Sequence, residues 1–242
     1  MMKRVFSVGL IAGLIAGFAT AFLLHFVTTP LILKAEAYET AAEATHGHDN
    51  VKAASEEQPL ESGRQEKEWS PSDGLERTLS TAVATIVSAI GFALILIAAM
   101  VVAGEEITPM RALAWATGGF AATGLATGLG LAPELPGSAG APLNDRQIWW
   151  IATAFASAFG LYLLIRTTSL VAKLNGLLFL LLPHLIGAPQ PHHFVSTVPA
   201  ELAAEFAASS LVIHAVLWAI TGLCVGYFWG RAAIPAKAGA TV

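Results

Sequence analysis

Charge is what this 242-residue chain has least of. Lys, Arg, Asp and Glu together make up 12% of it, and 55% is hydrophobic. Ordinary soluble domains carry about 25% charged residues. So much apolar surface has no matching polar shell, which excludes a water-solvated globule and makes lipid the solvent. Cysteine is almost absent: Cys224 stands alone in an apolar run. That excludes an intrachain disulfide framework and any CxxC metal site. No Gly-rich loop ends in Lys-Ser/Thr, so this chain does not hydrolyse ATP by a Walker motif. A basic face for nucleic acid is missing too. The formal net charge is only −4.

What is present is a set of long apolar runs, each about the 20 residues that a bilayer core requires. They predict an all-α integral membrane protein with six transmembrane helices near residues 5–27, 79–103, 113–132, 148–165, 170–186 and 206–229. The first run follows Lys3 and Arg4, and a secretory signal is its rival reading. Its length and the Gly9, Gly13, Gly17 spacing favour an uncleaved helix that packs closely on a neighbour. Gly124 and Gly128, then Gly222, Gly226 and Gly230, form two further small-residue faces, suited to helix packing or to a homo-oligomer. The run at 170–186 is short and punctuated by Asn175, Pro183 and His184. If Pro183 breaks it into a re-entrant segment, the count falls to five and the C-terminus changes sides.

Residues 30–77 differ in kind. They hold eleven acidic and five basic residues and read as a long polar loop, partly disordered, between the first two spans. Ser72 or Asp73 would cap the helix that follows. With six spans, one side carries Lys3, Arg4, Arg111, Arg166, Lys173, Arg231 and Lys237 against only Glu105 and Glu106. The excess of Lys and Arg makes that side, and the N-terminus with it, cytoplasmic.

All seven histidines then fall in the opposite half: His25, His46, His48, His184, His192, His193 and His214. His46, His48, His192 and His193 are in loops, and His25 and His184 are near helix ends. His214 lies roughly 12 Å into the last span at 1.5 Å per residue. Neutral imidazole is a common ligand for borderline divalent metals, and the acidic loop attracts cations. Glu201 and Glu205 share a helix face. With no sulfur cluster, such donors favour Co²⁺, Ni²⁺ or Zn²⁺ over Cu(I). Each histidine also has a plain reading. The His-x-His pair is ordinary solvated sequence, His192-His193 an interfacial pair, and His25 and His184 snorkel or bond a neighbouring helix. His214 resists this best, because ionisable groups inside spans face a cavity or the bundle.

Several stretches carry a family resemblance: Pro30-Leu31-Ile32-Leu33, Glu36-Ala37-Tyr38-Glu39, Asp73-Gly74-Leu75-Glu76-Arg77-Thr78, Ala132-Pro133-Glu134-Leu135-Pro136-Gly137, Arg146-Gln147-Ile148-Trp149-Trp150, Leu182-Pro183-His184-Leu185-Ile186-Gly187-Ala188-Pro189 and Val198-Pro199-Ala200-Glu201-Leu202-Ala203. In this order, over nearly the whole chain, they resemble the CbtA family. The resemblance implies a non-enzymatic cobalt transporter subunit of the bacterial inner membrane, linked to cobalamin biosynthesis. It also implies five spans and a small one-span partner, CbtB, with a His-rich motif. Its clearest match containing a candidate ligand is Leu182-Pro183-His184-Leu185. No cofactor is implied, Co²⁺ being the cargo. On this reading the outer loop gathers the ion, His192, His193 and His184 pass it on, and His214 is the deeper stop. The rival is an accessory protein that hands cobalt to a partner without transporting it. A haem protein using His25, His184 or His214 is a third reading.

Overall fold

A computed structural model describes residues 1–50, 71–72, 74–191 and 194–232, with only the backbone for 43–50. Its helices are α1 (Met2–Leu23), α2 (Thr29–Asn50), α3 (Leu75–Val102), α4 (Pro109–Phe120), α5 (Leu143–Arg166), α6 (Leu170–Ile186) and α7 (Ala200–Arg231). Two π-helical turns, Leu24–Thr28 and Ala121–Ala126, interrupt them. The protein is all-helical, with no strand among the described residues. Four helices are long and apolar enough to cross a membrane, α6 being a shorter apolar one.

Small side chains decide which helices touch. α1 buries Val8, Ala12, Ala16 and Thr20 beside its glycines. A Cβ on Gly13 would lie 2.3 Å from the Ile90 Cα, and one on Gly17 2.6 Å from the Ile86 Cα. The α1 backbone therefore rests directly on α3, as the four-residue glycine spacing predicts. A Cβ on Gly226 of α7 would come equally close to Pro109, 2.4 Å from its Cα. α1, α3, α4 and α7 thus form one packed group around Ile97, Met100 and Trp218. α5 and α6 form a hairpin beside it, crossing where Gly160 and Gly176 meet backbone to backbone. The hairpin docks on the group mainly through the Ala121–Ala126 turn.

The first helix corrects the sequence reading. It does not stop near Val27, and the polar loop does not begin at Pro30: α1, the π turn and α2 run on without a gap to Asn50. Pro30 would normally disrupt the i−4 ladder, but here it follows a π turn where that ladder is already altered. Beyond it, alanines favour helix, Leu31 and Ala35 are buried, and Glu36 pairs with Arg77 at 2.9 Å. Ala35 joins Leu135 and Val198 in a small apolar cluster at this end of the bundle. Residues 51–70 and Asp73 lie outside the described residues. At the start of α3 the Glu76 carboxylate accepts from the Ser72 hydroxyl and backbone N–H.

Pro183 does not break its helix. α6 is helical through Pro183 and ends at Gly187, which takes a φ of +89°. Pro183 sits in the last turn, where few intrahelical bonds remain to be lost. Its carbonyl accepts from the Gly187 N–H at 3.0 Å and from the Trp149 indole at 3.3 Å. α6 leaves α5 after a three-residue link at 167–169 and finishes with Ala188 against Gly130, at the far end. At the other end Arg4 bonds the Trp229 carbonyl and lies over its ring, and Glu105 bridges Arg111 (3.0 Å) and Arg166 (2.6 Å). The N-terminus, the 103–108 link, the 167–169 link and the end of α7 therefore share the basic end of the bundle.

Candidate functional site

The site is built where α7 meets α4 and the Ala121–Ala126 turn. His214 and Trp218 are four residues apart on α7, so both rings point to one side. That side faces glycine. A Cβ on Gly119 would be 2.5 Å from the Trp218 ring, and one on Gly124 2.9 Å from His214 Cδ2. The second small-residue face of the sequence is therefore partly a slot for rings. Phe92 and Phe120 flank the imidazole, with centroids 5.8 and 6.0 Å away.

Thr123 closes the arrangement. Its hydroxyl lies 3.0 Å from His214 Nε2, and the Trp218 indole N–H reaches both Thr123 Oγ1 (3.0 Å) and His214 Nε2 (3.1 Å). The Thr123 hydroxyl gives its own proton to the Gly119 carbonyl at 2.8 Å. Two proton arrangements satisfy these groups. In one, Nε2 accepts from Trp218. In the other, Nε2–H donates to Thr123 Oγ1, which still accepts from Trp218 on its second lone pair. The second leaves Nδ1 with a free lone pair. Metal-ligating histidines are commonly set up this way, with the other ring nitrogen donating to an oxygen.

His214 and Thr123 line a cavity of about 780 Å³ between the Ala121–Ala126 turn, α5 and α7. Thr127, Gln147, Trp150 and Ser210 contribute polar groups to its wall, and Arg146 stands in the first turn of α5 beside Pro133. Trp149, next to Trp150, is not on that wall: it is 9% exposed, bonds the Pro183 carbonyl and packs on Gly130. One aromatic of the pair anchors the hairpin while the other lines the cavity.

The other histidines are not gathered here. His25 is exposed in the first π turn, beside Phe26 at 5.0 Å. His184 stands edge-on to Trp149 at 6.1 Å and is not on the cavity wall. His46 and His48 fall in the helical backbone of α2, where side chains are not described. His192 and His193 lie outside the described residues. Glu201 and Glu205 are exposed on the first turns of α7. Among the described residues, no group of three or more His, Cys, Asp or Glu side chains is close enough to hold a metal ion. Thr123, Ser210, Gln147 and Trp218 were not singled out from the sequence. The only signal for Thr123 was its place beside Gly124 in a glycine-spaced run.

The profile of one protein family, described as the probable cobalt transporter subunit CbtA, matches residues 2–230. The chain belongs to the CbtA family. The match takes in all the apolar helices, the cavity and the His214–Thr123–Trp218 group. It makes the protein a member of a membrane transporter-subunit family and not of an enzyme family. Neither the curated proteins nor the solved structures contain a match.

Proposed function

We propose that this CbtA protein carries Co²⁺ across the bacterial inner membrane, with the cavity as its outer vestibule and His214 as the deep station. One observation carries the reading: the histidine placed deepest in a span is also the one on the cavity wall, held by Thr123 and Trp218. His214 would meet the ion through Nδ1 while Nε2–H rests on Thr123. Hydroxyl and amide groups along the wall replace part of the ion's water. A path of weak successive sites, from which an ion can leave, needs no tight cluster of ligands.

Six membrane passes fit this reading: α1, α3, the helix at 109–128, α5, α6 and α7. The 109–128 helix has the length of a bilayer core, about 30 Å at 1.5 Å per residue. The basic end lies in the cytoplasm, so the cavity side faces out and transport is uptake, supplying cobalamin biosynthesis. A CbtB-like one-span subunit is the expected partner. His184 moves off the route, and its conformational partner is Trp149.

Proteoliposomes loaded with a cobalt-sensitive dye test the proposal, with and without the one-span partner. The wild-type chain admits Co²⁺, and His214→Ala abolishes most of the flux. Thr123→Val, which removes the anchor of Nε2, costs about ten- to a hundredfold in affinity. His184→Ala leaves the flux near wild type. Full flux through His214→Ala would sink the route. No flux in any combination would favour the accessory role.

A further inference from the structure

The wall of the cavity carries a charge that the route above does not explain. Arg146 is on its wall, and a lone guanidinium at a cation's doorway repels the ion. Arg146 is not alone. Its guanidinium lies 2.9 Å from the Glu134 carboxylate, with the two side chains 32% and 29% exposed. Gly140 backs the pair: a Cβ there would sit 3.1 Å from both Arg146 Nη1 and Glu134 Oε2. Among the described ion pairs, this is the one with a member on the wall of the cavity that holds His214.

The partners are held by different elements. Arg146 belongs to the first turn of α5. Glu134 belongs to the loop before it, where the next residue, Leu135, is buried against Ala35 and Val198. The same loop is tied to the start of α7, since the Thr197 N–H bonds the Gly137 carbonyl at 3.2 Å. The carboxylate is therefore anchored through its backbone independently of Arg146. Arginine has a long flexible stem, so its head can leave while Glu134 stays.

We propose that Glu134 is the first protein ligand of the incoming divalent cation, and that Arg146 is a resident cation which holds this carboxylate until the ion displaces it. The inference rests on reading the cavity as the ion path. A part-exposed ion pair is weakly held, and a divalent ion brings twice the charge to the same oxygens. Glu134 supplies one ligand and water keeps the remaining positions, so the ion is caught without being trapped. With no ion at the mouth, the pair is neutral and the doorway presents no net attraction. Once the ion takes Glu134, the freed guanidinium repels a second cation.

Opposite responses of the two partners test this. Co²⁺ binding to the purified full-length chain is measured by equilibrium dialysis with mass spectrometry, and uptake KM in proteoliposomes. Arg146→Gln frees the carboxylate and tightens binding about tenfold, whereas Glu134→Gln weakens it by about tenfold or more. Arg146→Lys keeps a competing cation and stays closer to wild type than Arg146→Gln. Helicity and thermal stability, read for each variant, separate loss of fold from loss of site. Two single variants that shift binding in the same direction, or not at all, overturn the proposal and leave a structural strap. If wild-type uptake persists in that case, the cavity reading stands without Glu134. If wild-type uptake is absent, transport fails, and the binding arm still decides for or against Glu134.

Discussion

At the scale of single residues, glycine sets what this bundle can hold. Gly13 and Gly124 look alike in the sequence, each with a glycine four residues on. Gly13 admits the backbone of α3, and Gly124 admits the rings of His214 and Phe120. The spacing was legible, but the guest was not, because it belongs to a helix some ninety residues away in the chain for His214. Adding bulk should separate the cases. Gly124→Val forces the imidazole out of its slot and costs about 1–3 kcal/mol through overpacking, with Co²⁺ flux lost alongside. Gly128→Ala meets only the tip of Leu211, at 3.3 Å, and should be close to neutral. Thermal unfolding in detergent reads both. A Gly124→Val protein with wild-type stability would refute the slot.

At the scale of elements, the apolar runs overlap helices whose ends fall elsewhere. The predicted spans at 113–132, 148–165 and 206–229 correspond to helices that begin at Pro109, Leu143 and Ala200. Hydropathy reports where lipid begins, whereas a helix ends where its backbone loses partners. The extension of the first helix to Asn50 follows the same logic. Composition marks residues 30–77 as polar, and the docking of Leu31 and Ala35, with the Glu36–Arg77 pair, holds the start of that segment as helix against the bundle. Leu135→Ala should test that dependence. It empties part of the small cluster with Ala35 and Val198, costs about 2 kcal/mol, and exposes residues 30–42 to protease added at that end of the bundle. Unchanged cleavage in that variant would mean the helix stands without the cluster.

At the scale of the whole molecule, the question of five or six passes turns on α6. Asn175, Pro183 and His184 made 170–186 doubtful in the sequence, yet α6 runs from the 167–169 link to the Trp149 and Gly130 end. Cysteine labelling would place both ends in a membrane. With Cys224→Ala as background, Thr168→Cys should label with Glu106→Cys from the cytoplasmic side. Ala188→Cys should label with Ser138→Cys from the outside. Labelling of positions 168 and 188 from one side would restore the re-entrant alternative and five passes.

Composition alone determined the solvent. With so few charges and so many runs of bilayer length, this chain had to be a helical membrane protein, and its charge asymmetry is what the proposed orientation rests on. Motif order was enough to point to its family. The sequence also supplied the histidines, but it could not rank them, because a ligand's value depends on what stands beside it in space. Tertiary structure supplies those neighbours for the described histidines. By crossing α7 over the glycine face of α4 it set His214 against Thr123 and Trp218 on a cavity wall, and it left His184 packed on Trp149. It also joined Glu134 to Arg146, which lines that cavity. Such pairings come from helix crossings, which no local pattern in the chain encodes.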